Sequence, residues 1–187
     1  NWVSGNQLQN IPSTNLYNYQ LLQPTLTTIT PPAYSAVSTI TTQYTANTTV
    51  ADSIPSKLWV FARQRKADMT YQSCDAFMGI TNISVQIGNE SNLLSNALQS
   101  DLWRISKENG IQMNFEQWTR TVGSVFVARF GKDLMLTSAN KSAGLKQAVN
   151  LQVRVTLQNL SPVAKNYDLY IILENEGIFT IMSAGQS

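Results

Sequence analysis

Carboxylate pairs are the first residues in this chain whose types could do chemistry. Two Asp or Glu side chains roughly 5 to 9.5 Å apart can hydrolyse a glycosidic bond, one as acid and one as base or nucleophile. Asp168 and Glu174 fall on one face of a predicted strand. Six residues at about 3.4 Å each set them roughly 20 Å apart, too far for a pair. Glu174 and Glu176 are closer, but they sit in the segment Glu174-Asn175-Glu176-Gly177, which reads as a turn with solvated acids. The chain has no His and one Cys, Cys74. That excludes Ser-His-Asp and Cys-His catalysis, His-based zinc sites and an internal disulfide.

Other constellations are equally sparse. Arg63, Arg65 and Lys66 form a basic cluster at a strand end, without interleaved aromatics that would stack bases. Gly79, Gly88, Gly123 and Gly131 lie near strand ends as turn or bulge residues and form no phosphate loop. Asn89, Glu90 and Asn92 resemble a calcium loop only faintly. Sequons occur at Asn47, Asn82, Asn89, Asn140 and Asn159; in a chain this rich in Asn, Ser and Thr they read as composition. No catalytic, cofactor-binding or metal-binding residue is assigned, no cofactor is expected, and the chain reads as a non-enzyme. What remains is aromatic. Trp59 sits in a strand and reads as core. Trp103 lies off the Leu98, Leu102, Ile105 line of a helix, so it either faces a neighbour or packs the helix flank. Trp103, Trp118, Tyr17, Tyr19 and Tyr34 are the candidate interface residues.

The elements that must carry these residues are strands. The chain has 187 residues, enough for one self-sufficient core. Charged residues make up 13%, about half the usual share, and a net charge of +2 is too small to mark a nucleic-acid-binding domain. The apolar run Leu169 to Leu173 is far too short to span a membrane. Starting at Asn1 rather than Met, the chain reads as a processed product or a fragment. Leu151, Val153, Val155 and Leu157 alternate with Gln152, Arg154, Thr156 and Gln158, a strand with one buried and one polar face. Ile83, Val85 and Ile87 alternate likewise. Leu58 to Ala62 is a short apolar strand, and Val125 to Phe130, apolar on both parities, predicts burial on both sides. Tyr167 to Leu173 and Ile178 to Ile181 read as a hairpin.

One helix interrupts the strands. Asn96 is the expected N-cap and Asn109-Gly110 the end. A second short turn is expected at Asn114, with Gln117 in the capping-box position. About eight short strands without βαβ alternation predict an all-β antiparallel eight-stranded jelly-roll sandwich with one short helix on a long connection. The expected division is residues 1–51, an uncharged arm or linker with the first strands, and residues 52–187, the jelly-roll domain; Asp52 is the first charged residue. The uncharged segment is either a strand with an irregular arm or a stretch buried against another domain or subunit.

Ile54 to Arg63, Ile80 to Asn89, Leu93-Leu94-Ser95 and Asp101-Leu102-Trp103-Arg104-Ile105-Ser106 with Asn109-Gly110 follow one another. Gly144, Val149 to Asn159 and Tyr167 to Leu173 come after. Over residues 54–182 this series resembles the C-terminal jelly roll of double jelly-roll major capsid proteins. That family occurs in virophages, Polinton-type elements and nucleocytoplasmic large DNA viruses. The family's chains carry two jelly rolls, and one fits here. The resemblance implies a structural protein of the icosahedral virion, assembled in the host cell as a homotrimer with a pseudo-hexagonal outline. The implied partners are neighbouring capsomers and the penton and minor capsid proteins, with no specific nucleic acid and no membrane span. Low charge and many amides suit surfaces buried against neighbours. Two other readings stay open: a single jelly-roll vertex or minor capsid protein assembling as a pentamer, and a lectin-like jelly roll using Tyr17, Tyr19 and Tyr34 on sugars.

Overall fold

The structure is a computed structural model. It describes residues 14–33, 41–45, 49–51, 53–71, 77–88, 90–136 and 149–182. Among the described residues, nine strands and one α-helix follow in the order β1 (Thr14–Ile29), β2 (Thr41–Thr45), β3 (Thr49–Ala51), β4 (Lys57–Gln64), β5 (Gly79–Ile87), β6 (Glu90–Leu93), α1 (Gln99–Glu108), β7 (Val125–Arg129), β8 (Val149–Gln158) and β9 (Tyr167–Met182). They form two antiparallel sheets. One has the order β1-β9-β4-β7; in the other, β2-β8-β5-β6, β3 also pairs with β8. β2 pairs with residues 154–158 of β8 and β3 with residues 149–151, so the two short strands share one position beside it. Eight strand positions result, and the chain alternates between the sheets as a jelly roll does.

The core lies between the sheets. Leu58, Val60 and Ala62 of β4, Leu169, Ile171 and Leu173 of β9, and Leu151, Val153, Val155 and Leu157 of β8 are all buried in it. The period-two pattern of β8 therefore places its apolar parity as the sequence predicts, with Gln152, Arg154, Thr156 and Gln158 on the other face. In β5 the register shifts between Ile80 and Asn82, an extra residue at Thr81. That bulge moves the buried parity from Ile80 to Ile83, Val85 and Ile87, so all four reach one core despite their uneven spacing.

Two sequence expectations change. The hairpin expected around Glu174 to Gly177 is absent. β9 is one 16-residue strand that runs straight through that segment, because β1 pairs with it residue for residue from Ile29↔Tyr167 to Thr14↔Met182. A partner strand satisfies the backbone that a turn would otherwise have to fold back on itself. β1 itself carried no clear strand signal, since Pro24 interrupts it; Pro is tolerated there because β1 is an edge strand. The helix begins two residues later than expected. Leu98, not Asn96, is the N-cap, and the Asp101 carboxylate accepts the Leu98 N–H at 3.2 Å. The end is as expected, with Asn109 as C-cap and Gly110 at φ 110°. The capping box at Asn114 forms in full: the Asn114 N–H reaches Gln117 Oε1 at 3.1 Å and the Gln117 N–H reaches Asn114 Oδ1 at 2.8 Å.

α1 closes the open edge of the first sheet. The buried Ser106 hydroxyl donates to Leu102 O at 2.8 Å and accepts the Val127 N–H of β7 at 3.3 Å. Asn109 Nδ2 donates to Asp133 at 2.7 Å and to Val127 O at 3.3 Å. This is why Phe126, Val127 and Ala128 are all buried although they alternate in direction.

Candidate assembly surfaces

The outer face of the first sheet carries an aromatic strip between charged ends. β4 alternates half-buried and buried residues, with Lys57, Trp59, Phe61 and Arg63 outward. Trp59 is thus not in the core, where the sequence placed it, but on this outer face. Its indole N–H donates to Glu174 Oε2 at 2.9 Å, and Lys57 Nζ donates to Oε1 at 2.7 Å. Lys57 and Glu174 are register partners on β4 and β9. Burial alone would raise the Glu174 pKa. The hydrogen bonds from Lys57 and Trp59, with the charges of Lys57 and Arg129, outweigh it and hold the carboxyl below its ordinary value. Further along, the Phe61 ring stacks on Tyr170 at 5.0 Å and meets the edge of Phe77 at 6.0 Å. Sequence separation hid Phe77; an isolated bridge between Arg63 and Phe77 folds it back beside β4. Asp168 and Glu174 both lie in β9, each engaged structurally: Thr28 Oγ1 donates to Asp168 at 2.9 Å. Nothing brings them together as a catalytic pair.

The candidate interface residues separate clearly. Trp118 is fully buried in the core, with its indole N–H on Val125 O at 2.9 Å. It has no surface to offer a neighbour and is corrected to a core residue. Its ring is part of the buried apolar core. Trp103 is half-buried. Its N–H donates to Met113 O at 2.9 Å, Phe115 meets it edge to face at 5.7 Å, and Lys107 Nζ sits 4.9 Å over its ring. Tyr17 and Tyr19 are exposed on β1. Tyr34 lies outside the described residues, as do Cys74 and the sequons at Asn47, Asn89 and Asn140. Asn159 is buried and its amide is fully engaged, donating to Pro32 O and Val163 O and accepting from Tyr167 and Ser161. Burial pushes the Tyr167 phenol up to about 12, so it remains a donor to Asn159.

An exposed apolar ribbon among the described residues has no local signature in the sequence. β4 pairs with β9 only over residues 167–174. Beyond that, β1 and β9 run on as a two-stranded ribbon, residues 14–21 against 175–182. Tyr17, Tyr19, Leu21, Phe179 and Ile181 are exposed along it. The missing signal was the β1–β9 pairing itself, which no local pattern reveals.

The described residues form a two-sheet jelly roll whose outer face carries aromatic side chains between charged ends. Comparison with known proteins agrees. Residues 22–122 and 117–177 match the major capsid protein V20 C-terminal domain family, and the chain belongs to it. This is a family of structural virion components, not enzymes. The chain is similar to capsid protein V20 of Sputnik virophage, 26% identical over 163 residues, which cover 74% of this chain and 27% of that protein. Among solved structures it resembles a chain of the Sputnik virophage cryo-EM structure with a TM-score of 0.81 and 23% identity, over 94% of this chain and 38% of that one. It also resembles the mavirus major capsid protein with a TM-score of 0.79 and 18% identity, over 100% of this chain and 43% of that one. The chain therefore spans less than half the length of each of these three relatives.

Proposed function

We propose that this chain is the C-terminal jelly roll of a double jelly-roll major capsid protein. It stands beside a second jelly roll in homotrimers of pseudo-hexagonal outline, which tile an icosahedral shell with neighbouring capsomers and with penton and minor capsid proteins. The observation that carries this reading is the match of nearly the whole sandwich to 38% of the Sputnik chain, which leaves length for a second domain of similar size. In this role the charge-free segment 1–51 supplies edge strands and contact surface, because amides and hydroxyls can be buried against a neighbour without desolvating charges. Trp103 with Phe115, and Tyr17 with Tyr19, are the aromatic residues this surface offers to other subunits.

The test is the intact mass of the protein in its natural source. A polypeptide at least about twice the 20.8 kDa of this chain is expected, since a jelly roll of like size would double it. A mass near 20.8 kDa, with no second jelly roll co-purifying, would move the assignment to a single jelly-roll vertex protein.

A further inference from the structure

An antiparallel sheet with one face in the core normally turns polar side chains to water on the other. The second sheet obeys this: Gln152, Arg154 and Thr156 of β8 lie outward, beside Ser84 and Gln86 of β5. The first sheet does not. The registers of β1 on β9 and of β9 on β4 set four outward rows across these three strands. The two central rows, Pro24–Ile172–Trp59 and Leu26–Tyr170–Phe61, contain no charge. α1 closes the sheet's edge at β7, but the β1 side of this apolar face is uncovered: Leu26 is 54% exposed and Leu22, in the next row, 55%. The two flanking rows carry their charges in opposite pairs, Lys57 beside Glu174 and Arg63 beside Asp168. A cover laid over the whole face would therefore bury no ion without a counter-charge beside it.

We infer that this outer face seats the jelly roll that precedes it in the same polypeptide. The inference rests on the reading of the chain as a C-terminal jelly roll. Size favours that occupant over a separate chain. Three strands about 4.8 Å apart and four rows about 7 Å apart give roughly 400 Å² per side, or roughly 800 Å² buried in total. Contacts between domains of one chain bury about 600 to 1,500 Å², whereas stable complexes of separate chains bury at least about 1,200 Å². A tethered domain tolerates the smaller area, because a short linker holds it at an effective concentration of about 1 mM. Position favours the same occupant. This chain spans 38% and 43% of the two solved relatives, which leaves room for a domain of its own size. β1 is the first described strand, and the exposed margin of the face lies on it. A preceding domain thus joins the sheet through the strand that it covers. The surface it presents is apolar and uncharged, since the central rows offer no partner for an ion. A contact between two unlike faces needs no two-fold axis, so it leaves the three-fold symmetry of a homotrimer intact.

The test is a photocrosslink in the full-length polypeptide, assembled as it is in the shell, with Leu26→p-benzoylphenylalanine in a central row of the face. The expected product, after denaturation, has the mass of one polypeptide, and its second point of attachment lies in the residues preceding Asn1. A product with the mass of two polypeptides would put a neighbouring subunit on the face. No product at all would leave the face in solvent. Either result overturns the inference. Should the bulky ring disturb assembly, Leu26→Asp gives a second readout. In the 187-residue chain, where Leu26 is exposed, it should move the thermal midpoint by less than about 2 °C. In the full-length polypeptide it should speed proteolytic cleavage between the two jelly rolls at least about tenfold, by loosening their contact. Equal cleavage of variant and wild type would contradict the assigned contact. Failure of the capsid reading itself shows separately, as an intact mass near 20.8 kDa with no preceding jelly roll to seat.

Discussion

Glu174 ties the start of β4 to the middle of β9 through both its side chain and its backbone. Its carboxylate holds Lys57 and Trp59, and its carbonyl accepts the Ser56 N–H and hydroxyl at 2.7 and 2.8 Å. The side chains of Lys57 and Glu174 are 19% and 5% exposed, so removing either leaves a charge in a poorly solvated site. Glu174→Ala should cost about 3 kcal/mol by denaturant unfolding. The pH dependence follows from the lowered pKa. The folded carboxyl titrates below its unfolded value near 4.5, so its contribution is present above that pH and is lost as pH falls further. Glu174→Gln should flatten the acid side of the stability profile relative to wild type; parallel profiles would refute the role. The sequence marked Glu174 only as a turn acid. It also placed Trp59 in the core, because a strand's two faces look alike when both carry aromatics. Asn159 shows the opposite case: reading its sequon as composition fits a side chain that is buried and fully bonded.

At the scale of elements, connections are held by close backbone approach as much as by side chains. Gly123 ends the helical turn after Trp118 and begins the approach to β7, with φ at 103°. A Cβ there would lie 2.6 Å from backbone and side-chain atoms of Phe77. Gly123→Ala should therefore destabilise by about 3 kcal/mol, from backbone strain plus displacement of Phe77. A change below about 0.5 kcal/mol, within ordinary surface effects, would contradict the assignment. Elements whose signal is local were legible. The alternation in β8 and the Asn114–Gln117 capping box appear in the structure as the sequence implies. The two-sided burial of β7 was also legible, although its cause, the cover given by α1, was not. Elements defined by distant partners were not legible. β1 and the continuous β9 exist because each supplies the other's hydrogen bonds across more than 130 residues, and the apparent hairpin at Gly177 came from reading β9 without its partner.

At the scale of the whole molecule, two sheets with the order β1-β9-β4-β7 and β2-β8-β5-β6 enclose a core built from apolar side chains of both. The eight-strand count and the helix on the central connection were readable from the sequence. The exposure of the β1–β9 ribbon was not, because an exposed ribbon face has the same alternation as a buried one. Under the proposed function, the outer halves of β1 and β9 and the aromatic strip of β4 are the surfaces that meet other protein surfaces. Membership of the major capsid protein V20 C-terminal domain family gives those contacts their setting in the virion. The most direct measurement is a cryo-EM reconstruction of particles from the natural source, at a resolution that traces strands. The account predicts this jelly roll in every pseudo-hexagonal capsomer, three copies per capsomer, each beside a second jelly roll of the same polypeptide. Its absence from the shell, or its presence only as rings of five at the vertices, would contradict it.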